Sequence, residues 1–212
     1  MATSQLSLYQ GALRFLGQTK LASLTENIES RYLLDDVWSG GGIRRCLEAG
    51  QWRFATRTVQ IEYDASIEPD FGYQYAFVKP PDWVRTVALS ADEYFTNPLN
   101  QYRDEAGYWF ADFQPLYVGF VSDDASFGSD LSLWPESFTE YVESYFGLQI
   151  APNFTGAVGR IDALEKKSKK LLSAAQSNDA MNGPSPTMPR GSWSRSRFGN
   201  SRIDKARSSL TG

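Results

Sequence analysis

The chain of 212 residues contains no histidine and a single cysteine, Cys46. The first absence removes the side chain that most often serves as general base near neutral pH and most often ligates metals. The second excludes an intramolecular disulfide and any multi-cysteine zinc or iron–sulfur site. Nowhere do about 18 apolar residues follow one another, so no membrane span is expected. Residues Met1 to Leu8 lack a basic region followed by an apolar run, and no secretory signal is expected. The phosphate loop G-x-x-x-x-G-K-S/T and the nucleophile elbow G-x-S-x-G are both missing. Gly40-Gly41-Gly42 does not extend to G-x-G-x-x-G. These absences favour a binding or structural role over catalysis, with no enzyme activity and no cofactor expected.

Apolar and aromatic residues are plentiful, at 42% and 14%. That suffices for one sizeable core, or a core and a small satellite domain. The formal net charge of −4 conceals a division. Residues 1–150 carry 10 basic and 21 acidic side chains, whereas residues 151–212 carry 11 basic and 4 acidic. Such asymmetry between halves often marks an interaction tail.

Leu6, Tyr9, Leu13 and Leu16 recur at helical spacing, so a helix is expected over about 4–17 with Gly17 as its stop. A second helical stripe, Leu33, Val37, Ile43 and Leu47, runs through about 29–51 across Gly40–Gly42. Each glycine costs about 1 kcal/mol relative to alanine inside a helix, and three together can break it or admit a close neighbour. The stripe favours a continuous, locally weak helix. The period then becomes two. Val59, Ile61 and Tyr63 alternate with polar residues. Further strands are expected near 73–78, 84–89, 108–113 and 116–121, separated by turn chemistry such as Pro80-Pro81-Asp82 and Asp104 to Gly107. No long helical pattern intervenes, so the sheet should be antiparallel or mixed. Tyr108-Trp109-Phe110 and Leu116–Val121 are apolar on both faces, which helices or a neighbouring subunit must cover.

Helical spacing returns after Trp134. Pro135 suits the first helical position and Glu136 the positive end of the dipole, while Phe138, Tyr141, Val142, Tyr145 and Leu148 form one face up to Pro152. A last helix is expected over about 157–176, with Val158, Ile161, Leu164, Leu171, Leu172 and Ala175 inward. Its run Lys166-Lys167-Ser168-Lys169-Lys170 suggests nucleic acid, but Asp162 and Glu165 stand four residues before Lys166 and Lys169. That spacing favours a solvated helix face. The fold class expected is α+β. A helical bundle (1–53 and 134–180) accepts a β-rich insertion (54–133), and an extended basic C-terminal tail (181–212) follows.

From about Ala180 prolines and serines accumulate, with six basic residues against one acidic. The segment holds too little apolar material to order itself by burial. Trp193 and Phe198 nonetheless lie among Arg190, Arg195 and Arg197, and aromatic and arginine side chains are the usual anchors of docking segments. Fully extended, residues 180–212 reach about 110 Å. The acidic pairs Asp35-Asp36, Asp92-Glu93, Asp104-Glu105 and Asp123-Asp124 read as surface or turn residues. The run from Asp123 fails as a calcium loop because Ala125 and Phe127 stand where ligands are required. Cys46, with no histidine to activate it, reads as a buried structural thiol. The aromatic side chains fall at regular helix and strand positions, which favours core and subunit interface over a stacking surface.

The order of five segments carries a resemblance. They are Ala12-Leu13-Arg14-Phe15-Leu16-Gly17 with Leu21-Ala22-Ser23-Leu24-Thr25-Glu26; Gln51-Trp52-Arg53-Phe54-Ala55-Thr56-Arg57; Phe71-Gly72-Tyr73-Gln74-Tyr75-Ala76-Phe77; Pro80-Pro81-Asp82-Trp83-Val84-Arg85-Thr86-Val87; and Trp134-Pro135-Glu136-Ser137-Phe138. Over nearly its whole length the chain resembles the head-to-tail adaptors of short-tailed bacteriophages, the tail tubular protein A family. It departs from the family pattern at Gly40–Gly42 and in the acid-rich stretch Asp123 to Asp130. The resemblance implies a structural virion protein at the head–tail junction, assembled in the host cytoplasm. It implies a dodecameric ring between the portal protein and the tail nozzle protein, with viral DNA passing through the lumen without specific binding and with no membrane partner. Portal contact would then fall to Arg190, Trp193, Arg195, Arg197 and Phe198. Heterologous ring contacts would bury strand faces that a monomer exposes, and an acidic wall would repel phosphates. The alternative is a nucleic-acid-binding protein using Lys166–Lys170 and the basic tail.

Overall fold

The computed structural model describes residues 4–69, 72–96, 98–154 and 158–183. The chain divides between Ala180 and Met181, and the account below concerns the first unit. Its fold is α+β, with two small antiparallel sheets inserted between helical segments.

Helix α1 (Gln5–Leu16) is closed at both ends by its own sequence. Ser4 and Ser7 form a reciprocal capping box, and Gly17, at φ 73°, ends the helix with Gln18 N–H donating to the Leu13 carbonyl at 2.9 Å. The stripe expected as one helix over 29–51 is instead two, α2 (Glu29–Ser39) and α3 (Gly42–Glu48). Gly41 lies between them at φ 81°, a left-handed conformation that costs other residues free energy. Apolar periodicity survives the break because α3 resumes the same packing. Leu34, Cys46 and Leu47 all enter one core. The break also brings Gly42 close to Phe146, where an added Cβ would lie 3.1 Å from the ring.

Helix α4 (Glu136–Phe154) is centred on the expected position, with two shifts. Pro135 precedes the helix, its carbonyl accepting from Phe138 N and Thr139 N at 3.0 Å each, so it caps the helix rather than opening it. Pro152 lies inside the helix rather than ending it. Near a C-terminus it removes one hydrogen bond, while helical geometry continues for two further residues. Helix α5 (Val158–Met181) extends five residues beyond the expected Gln176. Ile161, Leu164, Leu171, Leu172 and Ala175 are turned inward or half-buried, but Ser168 and Asp179 are buried on the same side. The side chain of Val158 lies outside the described residues. Ser168 is accommodated by a hydroxyl pair with Ser144 on α4 at 3.0 Å. Gly147 admits α1 against α4, since a Cβ there would lie 3.0 Å from the Ala12 carbonyl.

The first sheet has the order β1 (Thr56–Ile61), β6 (Leu116–Ser122), β3 (Trp83–Ser90), and the second β2 (Tyr75–Val78), β5 (Tyr108–Ala111), β4 (Arg103–Glu105). All pairings are antiparallel. Strand β4 overlaps the expected turn Asp104 to Gly107, and its residues Arg103-Asp104-Glu105 carry no apolar alternation. Pairing with β5 makes it a strand through a two-residue turn, Ala106 and Gly107, both at positive φ. The two-faced strand β6 is covered on both sides. Val121, with Val84, enters the core shared with the helices, and Leu116, Val118 and Phe120 enter a second core against Phe77, Trp109 and Ala111 of the second sheet. Thus helices and a second sheet within the same chain cover both faces of β6, whereas Tyr108 and Phe110 on the outer face of β5 stay half-buried.

Candidate assembly surfaces

Two of the resemblance segments meet at an aromatic hub. The Phe138 ring at the start of α4 lies 4.7 Å from Trp52, 4.8 Å from Phe54 and 4.9 Å from Trp134. Both indoles donate to backbone carbonyls, Trp52 to Cys46 at 3.1 Å and Trp134 to Gly128 at 2.9 Å. The hub thereby ties α3, the entry to β1 and the exit from β6 to α4. Nearby, polar bonds join helix to sheet. Arg44 of α3 pairs with Asp123 and donates to the Trp83 carbonyl at 2.7 Å. Asp82 accepts from Arg57 at 2.9 Å and from Ser122 Oγ at 2.5 Å. Burial alone would raise the Asp82 pKa, but these two hydrogen bonds and the Arg57 charge hold it below the usual carboxylate range.

The two sheets are fastened by a lysine that the sequence reading passed over. Lys79 Nζ sits 3.6 Å above the Trp83 ring and 5.5 Å from Trp109, and pairs with Asp104. Both indole N–H groups donate to Thr86 Oγ1, at 3.1 and 3.0 Å. The Lys79 and Trp83 spacing of four is visible in the sequence, but Asp104 and Trp109 are brought in by the fold. On the outer side of the second sheet, Tyr108 and Phe110 with Tyr73, Ile67 and Pro69 line an open groove of about 320 Å³ edged by Arg103 and Glu105. Chemically it offers a shallow aromatic floor with two carboxylates, Glu68 and Glu105, and one guanidinium, Arg103, suited to a protein side chain rather than to a reaction.

Helix α5 is fixed to the rest of the unit at both ends. Arg160 donates to the Leu16 carbonyl at 2.8 Å. Asp179 accepts from Arg53 N at 3.1 and 3.2 Å, and Gln176 donates to the Ala49 carbonyl at 2.8 Å. Burial raises the Asp179 pKa against the lowering influence of the Arg53 amide and charge. Of the lysine run, Lys166, Lys167, Lys169 and Lys170 are exposed. Lys169 pairs with Glu165 at 2.6 Å, and Lys167 lies 4.8 Å above Phe15.

The acidic pairs do not assemble a cluster. Asp35 accepts from Tyr9 and Arg31, Asp104 and Asp123 have cationic partners, and Asp92 and Asp124 accept from amides of their own loops. Among the described residues no group of three or more His, Cys, Asp or Glu could hold a metal ion. Among them, too, no helix is long and apolar enough to cross a membrane. Cys46 is buried beside Tyr141, and desolvation pushes its thiol pKa well above the usual value. The five expected portal-contact residues, Arg190, Trp193, Arg195, Arg197 and Phe198, lie outside the described residues. No protein-family model and no curated protein matches the chain. What the fold defines at this point is an α+β unit that offers surfaces, an aromatic groove and a lysine-bearing helix face.

Proposed function

We propose that this chain is a structural adaptor of a short-tailed phage, forming a dodecameric ring that joins the capsid portal to the tail nozzle and lines part of the DNA ejection channel. The observation that carries the reading is the ordered series of five sequence segments, two of which meet in the Phe138 hub that joins helices to sheets. The reading assigns no catalysis and no cofactor. DNA passes an acidic wall that does not hold it, and the C-terminal segment anchors the portal through Trp193 and Phe198 burial and through Arg190, Arg195 and Arg197 pairing with carboxylates. Deletion of residues 181–212 followed by pull-down with purified portal tests the anchor. Binding should be lost, and undiminished capture removes the segment from this role.

The second reading is a nucleic-acid-binding protein, favoured by the four exposed lysines on α5. A salt titration of DNA binding separates the two. Several phosphate contacts give a steep dependence on salt, whereas the adaptor binds free DNA weakly at any salt.

A further inference from the structure

The end of the β-rich part remote from the helices has its own chemistry. Strand β1 ends at Ile61 opposite Leu116, and β3 ends at Ser90 opposite Tyr117. Strand β5 leaves at Ala111, opposite the start of β2 at Tyr75. Three connections therefore emerge at one edge, described over residues 62–69 and 72–74, over 91–96 and 98–99, and over 112–115. The first and third are bonded to each other, and the first also to the start of β2. Asp64 N donates to the Ala76 carbonyl at 2.8 Å, Gln74 N donates to Asp112 at 3.0 Å, and the Tyr63 ring lies 5.1 Å from Tyr75.

Each connection presents a large aromatic side chain to solvent. Tyr63 is 39% exposed, Tyr94 80% and Phe113 47%. Large exposed rings on connections that leave at one edge signify a contact surface more than isolated surface residues do. The charge carried by the connections themselves has one sign, while Arg103 of β4 shares the open groove with Glu68. No lysine or arginine occurs among residues 58–78, 86–102 or 104–159. Asp64 and Asp92 are engaged by amides and hydroxyls of their own loops. Glu62, Glu93 and Asp112, each adjacent in sequence to one of the rings, are exposed, though Glu62 also accepts from Gln60 and Asp112 from Gln74, and Glu68 is exposed in the groove with Arg103. Glu93 bonds the Tyr94 hydroxyl and raises its pKa.

We infer that this tip is a docking surface for a cationic protein segment. Arginine and lysine side chains of the partner stack on Tyr63, Tyr94 and Phe113 while their charges meet Glu62, Glu68 and Glu93. Both halves of the arrangement select the same chemistry. The negative face of an aromatic ring attracts a cation, carboxylates complete its hydrogen bonds, and a polyanion such as DNA meets only like charge. The inference goes beyond the adaptor reading and does not require it, since neither a ring nor a portal enters the measurement.

The test uses the isolated full-length chain and a fluorescein-labelled peptide of alternating arginine and glycine, read by fluorescence anisotropy. A peptide of alternating glutamate and glycine and a short single-stranded DNA, each fluorescein-labelled, are titrated separately, because in a mixture either polyanion would bind the arginine peptide itself. Tyr63→Ser/Tyr94→Ser/Phe113→Ser keeps the net charge and should weaken the arginine peptide roughly tenfold or more. Glu62→Gln/Glu68→Gln/Glu93→Gln should weaken it comparably and flatten its salt dependence. Neither polyanion should bind the tip, so any anisotropy change it shows should be unaltered by the aromatic substitutions. The inference is overturned by failure of the unaltered protein to bind, or by unchanged binding in both variants, which would place the peptide elsewhere. Loss in the glutamate variant alone would mean a diffuse ionic attraction, and loss in the aromatic variant alone an uncharged partner; either overturns it. Binding of the labelled DNA that the aromatic substitutions weaken would assign the tip to nucleic acid and overturn the inference.

Discussion

The helical and β-rich parts shift the pKa of their carboxylates in opposite directions. On the helices, Glu143 lies largely buried between α1 and α4, where desolvation raises its pKa against the opposing pull of Arg14 at 3.0 Å. Asp179 on α5 is raised by burial in the same way. Among the sheets, Asp82 is depressed by Ser122 and Arg57 in spite of burial, and the exposed Asp64 and Asp92 are depressed by hydroxyl and amide donors of their own loops. Glu165 on α5 is depressed too, but by an exposed pair with Lys169. The cores differ in parallel. Among the described residues the helical cluster comprises 21 buried residues and the cluster between the sheets seven. The sheets use ionised carboxylates as fasteners.

The largest effect that would break this contrast comes from the hub. Phe138→Ala removes the ring on which Trp52, Phe54 and Trp134 converge, and should cost about 3–5 kcal/mol in denaturant unfolding. Because the hub touches both parts, fluorescence and circular dichroism should report one shifted transition. Lys79→Met keeps the apolar stem but removes the cation from between the two indoles and Asp104. A cost of about 2 kcal/mol is expected, with increased proteolysis inside residues 75–111 while α1 and α4 stay protected. A loss of protection equal in all elements would mean that the sheets and helices unfold as one.

Acid sharpens the comparison. A depressed carboxylate contributes stability above its unfolded pKa and loses it as pH falls through the folded value, so the fasteners around Asp82 weaken once pH drops below about 4. Glu143 and Asp179 have the opposite sign. Their contribution is full below the unfolded pKa and is lost as pH rises through the raised folded value, so acid relieves the helices. Pepsin at about pH 3 should therefore cut within residues 56–122 before the helices. Asp82→Asn should cost about 1–2 kcal/mol at neutral pH and diminish that acid sensitivity. The smallest effect concerns the helix break. Gly41→Ala should cost about 1 kcal/mol in thermal unfolding, because its φ of 81° disfavours a Cβ. A gain in stability would mean that α2 and α3 prefer to join.

Helix positions and five of the six strands were legible because burial imposes a period on the sequence. What was not legible has physical reasons. Periodicity cannot register a left-handed residue, so Gly41 passed as a weak point in one helix. Strand β4 is made by its partner and its turn, not by its own three charged residues. The fasteners Lys79–Asp104 and Asp82–Ser122 join residues 25 and 40 positions apart, which no local pattern reveals. The one-sign charge of the remote loops was present in the sequence, but only the strand register gathers them at one edge.

The adaptor reading is tested most directly by electron microscopy of this protein bound to purified portal. The account predicts a ring of rotational symmetry in the layer beneath the portal, with the density of residues 4–154 repeated around a central channel. Particles with no rotational symmetry at that layer would contradict it.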